Sequence, residues 1–268
     1  MKAVRCIAAS VLVLAALACV LTGFLAPADY ATQFREAPSA APSRHHLLGT
    51  DDLGRDSFSR LLYGTRVSLL LAPAAALLST LLAAFVGGIA GYVGGPTKKV
   101  AMAVTDLFLS MPWLFLLIIV RAMLPLNVSP GTSVTVTFLL LGLLGWAASA
   151  RVVAAEVQTI RHSDFMLQAQ ASGISPWRLL ALHITPNVRP VLFAQFWISI
   201  PVFILSEANL GILGLGVAEP LPSWGSLLRE LESFVSFGDQ PWRFVPLLLL
   251  ILVVSSFQIF LSRKEVQA

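Results

Sequence analysis

Charge is what this sequence has least of. Only 12% of its 268 residues are Asp, Glu, Lys or Arg, against 57% hydrophobic, and mean hydropathy is +0.82. Soluble domains carry about twice that charged fraction, so a water-facing globular fold is excluded. Cysteine is nearly absent too: Cys6 and Cys19 share the first apolar segment and have no partner elsewhere, which leaves no disulfide framework. Catalytic signatures are missing as well. There is no GxxxxGK(S/T) loop, since Gly94-Gly95-Pro96-Thr97-Lys98 lacks its spacing, and no HExxH, CxxC or GxSxG. The chain is therefore expected not to be an enzyme and to bind no cofactor itself. Its net charge of +4 is read as an effect of membrane topology, not as a nucleic-acid surface.

What is present is apolar sequence in membrane-sized lengths. Six segments reach the roughly 20 residues that a helix needs to cross a hydrocarbon core: 6–26, 67–93, 100–124, 134–154, 191–216 and 244–261. The fold class expected is an all-α integral membrane protein of six transmembrane helices. Residues 1–66 would form the first helix and an outer loop, and 67–268 the remaining five-helix domain. Six spans put both termini on one side, with Lys2, Arg5, Lys98, Lys99, Arg151, Arg161, Arg178, Arg189, Arg263 and Lys264. The other side holds Arg35, Arg44, Arg55, Arg60, Arg66, Arg121, Arg229 and Arg243. Every Lys falls on the first side, which makes that side, and both termini, cytoplasmic. Lys2 and Arg5 before an apolar run would also suit a signal peptide with Cys19 as a lipidation site; Ala16 and the five later spans favour an uncleaved first span.

The chain is organised around a polar interruption, 161–190, on that cytoplasmic side. It reads as two short helices and a tight turn. Gly173 supplies a positive φ, Ser175 and Pro176 start the second helix, and Pro186 and Pro190 bound it. Elsewhere, Ala83, Gly87, Gly91 and Gly95 recur every fourth residue, a face on which two helices approach closely. Gly94-Gly95-Pro96 ends that span. Asp106 is assigned a structural hydrogen bond, Pro112 a kink, and Arg121 a snorkelling position. In the outer loop, residues 28–46 should be extended and mobile. Residues 49–66 should form a short surface helix, capped by Thr50 or Asp51. His45, His46, Asp51 and Asp52 are a weak metal-site candidate, because adjacent loop histidines do not fix a coordination geometry. Glu207 and Asn209 are costly in hydrocarbon, so they either line a path or bond two spans together.

Asp164-Phe165-Met166-Leu167-Gln168-Ala169-Gln170-Ala171-Ser172-Gly173, then His183-Ile184-Thr185-Pro186-Asn187, resembles the EAA loop of ABC-importer permeases. Ala169, Gly173, Ile184, Pro186 and Asn187 match; Leu167 stands at the Glu position and Gln168 at the first Ala. Residues Leu48 to Asp56, Ser59 to Leu69, Leu213-Gly214-Leu215-Gly216 and Pro222-Ser223-Trp224-Gly225-Ser226 are similar to the C-type permeases of the dipeptide, oligopeptide and nickel subfamily. The resemblance implies a type I importer permease fold with a cytoplasmic coupling helix between the fourth and fifth spans. It assigns Asp164, Leu167, Gln168, Ala169, Gly173, Ile184 and Pro186 to ATPase coupling, and Glu207, Asn209, Gly214, Gly216 and Trp224 to the translocation path or gate. Gly87, Gly91 and Gly95 pack helices. The partners implied are a homologous B-type permease, two ABC ATPases that bind ATP and Mg, an external solute-binding protein and membrane lipid. Peptide is favoured over nickel because no His, Cys or Met cluster lines a span. A self-contained secondary transporter is disfavoured by the lack of an internal repeat.

Overall fold

The structure is a computed structural model that describes residues 2–123, 125, 128–233 and 240–261. Met1, Leu124, Arg263 and Lys264, used above, lie outside the described residues. Among those described the chain is helical, and its only β pairing is two isolated bridges, Gln33 with Arg55 and Thr50 with Asp56. The helices are α1 (Lys2–Val20), α2 (Thr22–Leu25), α3 (Ser57–Val93), α4 (Gly95–Ser110), α5 (Trp113–Met123), α6 (Pro130–Leu144), α7 (Ala147–Arg161), α8 (Asp164–Ala171), α9 (Pro176–Leu179), α10 (Thr185–Ile212), α11 (Trp224–Arg229) and α12 (Val245–Leu261).

Among the described residues five helical stretches are long and apolar enough to cross a membrane: Ala3–Val20, Ser57–Val93, Pro130–Arg161, Pro176–Ile212 and Pro241–Leu261. The pair α4 and α5, apolar enough together to make a sixth if it is one broken span and not a re-entrant loop, is bent by 83° at Met111-Pro112, where the proline cannot continue the ladder. The start of the second span differs most in kind from expectation. The 57–66 segment is not a separate surface helix; it is the start of α3, which continues through Pro73 for 37 residues. At 1.5 Å per residue that is about 55 Å, well beyond a hydrocarbon core. Its start is capped by Asp56, whose Oδ1 accepts from the Ser59 amide at 2.7 Å, and not by Thr50 or Asp51.

By its internal contacts the chain forms two compact units. The first comprises 1–72, 120–138 and 201–268, and the second 73–119 and 139–200. In the first, α1 packs on α12, and Thr22 Oγ1 donates to Ala18 and, at 3.4 Å, to Leu62 of α3. Its 28–56 segment is tied to itself, contrary to the expected extended chain. The Phe34 amide donates to Gly54, the Ser39 amide to Asp51 and the Thr50 amide to Ala40. In the second unit α7 packs on α4 and α8.

Candidate functional site

The polar interruption folds from local rules. After α8, Gly173 takes φ +73°. The Ile174 amide donates to Ala169 at 3.3 Å and the Gly173 amide to Gln170 at 3.0 Å, the paired bonds of a Schellman stop. Ser175 is extended and Pro176 opens α9, although the Ser175 hydroxyl makes no capping bond. Pro186 and Pro190 do not bound this second helix. A π turn over Leu180–Ile184 follows α9, with the Thr185 amide and hydroxyl both directed to Leu180 O, and α10 then runs on through both prolines. One wide turn relieves the clash between Pro186 and the preceding carbonyls, so the helix continues.

The two faces of this element differ. Met166, Ala169, Leu179, Ile184 and Val188 are buried against Val153, Val157 and Ile160 of α7. Asp164, Leu167, Gln168, Gly173 and Pro186 are exposed. Ala169 and Ile184 therefore hold the element to its unit, while the other five residues are free to meet a second protein. Two residues that sequence reasoning missed join the exposed set: Leu182 and Trp177, the latter 80% exposed.

Behind this element, α3 lies against α7. A Cβ on Gly87 would stand 2.4 Å from Ala150 O, and one on Gly91 2.6 Å from Ala154 O. Ala83 continues the seam against Trp146, Ala147 and Ala150. Gly95 does not belong to it. It has φ +54°, no neighbour within 4 Å of a built Cβ, and starts α4. Asp106 pairs with Arg151 at a half-exposed position, a contact between α4 and α7.

In the first unit the glycine-rich segment after α10 wraps a cavity of about 670 Å³. Gly211 and Gly225 meet so closely that a Cβ on the former would lie 2.4 Å from the latter's backbone, and Gly214 has φ +73°. Gly214 and Gly216 line the cavity together with Arg121, Glu219, Arg229 and Glu230. The other three path candidates are placed elsewhere. Trp224 is fully buried, donating from Nε1 to Thr65 Oγ1 at 3.0 Å and from its amide to Ser68 Oγ at 3.2 Å. Glu207 is also fully buried; Ser68 Oγ donates to its Oε2 at 3.4 Å, so the carboxyl ties α10 to α3. Asn209 is exposed on another face of α10. Arg121 does not snorkel. It is only 1% exposed, donating from Nη2 to Ser133 Oγ at 3.2 Å and to Gly216 O at 3.4 Å.

Five charges cluster beside the cavity, a grouping that no local motif announces. Arg55 Nε binds Asp51 Oδ2 at 2.6 Å, and Arg55 Nη1 binds Glu219. The fully buried Arg60 binds Glu230, reaching Glu219 at 3.3 Å and Asp51 at 3.5 Å. Burial alone would raise Glu219, but the guanidiniums of Arg60 and Arg55 together hold it below the usual carboxylate range. Burial pushes the Glu230 carboxyl up, and its Arg60 partner only partly offsets this. The histidine–aspartate candidates are dispersed. His46 bonds Asp56 at 2.9 Å, Asp51 serves Arg55, and Asp52 serves Ser39 and Arg243. Among the described residues no group of three or more His, Cys, Asp or Glu is placed to hold a metal ion.

Residues 83–263 match the family described as the binding-protein-dependent transport system inner membrane component. The oligopeptide transport system permease protein OppC of Bacillus subtilis is 33% identical over 80% of this chain and 68% of its own length. The dipeptide transport system permease protein DppC of the same organism is 30% identical over 90% of this chain and 73% of its own. The nickel transport system permease protein NikC of Escherichia coli is 34% identical over 86% and 81%.

Proposed function

From the premise that this chain belongs to the inner-membrane permeases of binding-protein-dependent ABC importers, we propose that it forms part of the translocation path for di- and oligopeptides. It is a multi-pass membrane protein of the all-α type I permease class. The observation that carries the reading is the two-faced element 164–184, with one face buried on α7 and Asp164, Leu167, Gln168, Gly173, Trp177 and Leu182 presented outward. Here an ATPase subunit docks, on the cytoplasmic side. A population shift needs differential binding to two states, so the docked element has to be fixed to the spans. The unbroken passage of α9 through the π turn into α10 supplies that fixture.

ATP and Mg are held by two partner ATPases, a homologous B-type permease completes the path, and an external binding protein delivers the solute. Both termini lie in the cytoplasm. Two peptide permeases among the relatives support peptide as cargo. The 34% identity to a nickel permease supports nickel as the second reading. The test is uptake by proteoliposomes holding the assembled importer, with binding protein outside and ATP within. ATP-dependent accumulation of a short peptide is expected, and accumulation of Ni²⁺ in place of peptide would select the second reading. Concentration of solute by this chain alone, with no ATPase present, would overturn both.

A further inference from the structure

The mechanism above leaves one buried cation without a use. Arg121 lines the loop cavity, is 1% exposed, and forms no ion pair with a carboxylate among the described residues. Its Nη2 is satisfied by Ser133 and Gly216, but Nε and Nη1 have no acceptor among them. A guanidinium taken out of water with donors unfilled is unfavourable unless an anion compensates it. Such a residue inside a membrane protein marks a ligand or ion path. Arg229 lines the same cavity, is exposed, lies against Gly214, and has no ion pair among the described residues. The other cation of the cavity wall, Arg55, is already paired with Asp51 and Glu219.

We propose that this cavity is a subsite for the free terminal carboxylate of the transported solute, with Arg121 as the buried anchor and Arg229 at the entrance. The volume of about 670 Å³ is that of a pocket for a small organic ligand. The open N–H groups on Nε and Nη1 lie on different edges of the guanidinium, and either suits one oxygen of a carboxylate in a charge-assisted bond. The rest of the wall decides against a simple inorganic anion. Glu219 and Glu230 also line the cavity, in a network of three carboxylates against two guanidiniums. That one spare carboxylate does not outweigh Arg121 and Arg229, but it gives the ammonium group of a zwitterion a partner that an inorganic oxyanion cannot use. A short peptide with free ends fits this pattern.

The subsite rests on the proposed function, and the experiment keeps the two apart. The assembled importer in lipid nanodiscs, without binding protein, is titrated with trialanine, trialanine amide and inorganic phosphate. Trialanine is expected to bind about 10-fold or more tightly than its amide, the difference that one hydrogen bond between a carboxylate and a buried guanidinium confers. Phosphate should not compete. Arg121→Gln should remove the preference by weakening the acid and not the amide, and Arg121→Lys should restore part of it. Arg229→Gln, at an exposed position that packs little, should lower it more modestly. Equal binding of acid and amide by the unaltered complex, no binding of either, or equal weakening of both by Arg121→Gln would overturn the subsite. ATP-driven uptake of binding-protein-delivered peptide is measured on the same preparation. If uptake persists while the acid and amide are not distinguished, the subsite falls and the permease reading stands; if uptake is absent, the permease reading falls.

Discussion

Three glycines on one helix provide an internally controlled test of the α3–α7 seam. A methyl added at Gly87 would stand 2.4 Å from Ala150 O and 3.0 Å from Val153 Cβ, whereas at Gly88 it would meet nothing within 4 Å. Restoring ordinary contact at Gly87 requires the two helices to separate by roughly 1 Å. The obstructing atom is backbone, so no rotamer change relieves it. Overpacking of this kind costs about 1–3 kcal/mol, and the upper part of that range applies where backbone must move. Alanine regains up to about 1 kcal/mol of helix propensity at either position. Gly87→Ala should therefore destabilise by about 1–2 kcal/mol, while Gly88→Ala is neutral or slightly stabilising. At about 2–4 °C per kcal/mol for a chain of this size, their melting temperatures should differ by about 2–12 °C. Thermal unfolding of the purified assembled complex, followed by tryptophan fluorescence, reads this directly. Should Gly87→Ala and Gly88→Ala melt together, the close seam is wrong; Gly91→Ala, with a 2.6 Å backbone clash, must behave like Gly87→Ala.

Other perturbations test other elements. Gly173→Asp places a side chain at φ +73° in open space, a local strain of about 1–2 kcal/mol. The variant should insert and assemble but lose ATP-driven uptake; normal uptake would count against docking at this turn. Asp106→Asn removes a pair in which both side chains are 55% exposed, so its melting temperature should be unchanged, since such pairs contribute little. The carboxylates of the charge cluster set opposite pH limits. Glu219, held low by its guanidiniums, contributes stability above the ordinary carboxylate range that is lost as pH falls through its folded value. Glu230, pushed up by burial, costs stability as pH rises from the ordinary range through its raised value. In melting-temperature profiles against pH, Glu219→Gln should flatten the acid limb and Glu230→Gln the decline on the other side. Unchanged limbs would refute these assignments.

The chain's own order of residues was enough for whatever depends on neighbours. Hydropathy over about 20 residues marks a span because the bilayer core has a fixed thickness, and the apolar segments were found on that basis. Gly173 was legible because only a residue without Cβ takes φ +73° at no cost. Gly87 and Gly91 were legible because four-residue spacing keeps them on one helical face; Gly95 fits the spacing but lies past the break at Gly94. Pro186 was misjudged because a proline forbids one hydrogen bond, not a helix, and the π turn before it moves that bond elsewhere.

Only the tertiary structure decided the rest. Arg60 meets Glu230 across 170 positions, and Arg121 meets Gly216 across 95, and no periodicity encodes such distances. Whether Arg121 snorkels or is buried depends on what surrounds it, and Glu207 is a tie between helices because Ser68 comes to rest beside it. Local backbone preference and hydrophobicity act through a few adjacent residues, so they can be read in line. Charge pairing and burial depend on which distant segments share a volume, and that is settled only when the chain has folded.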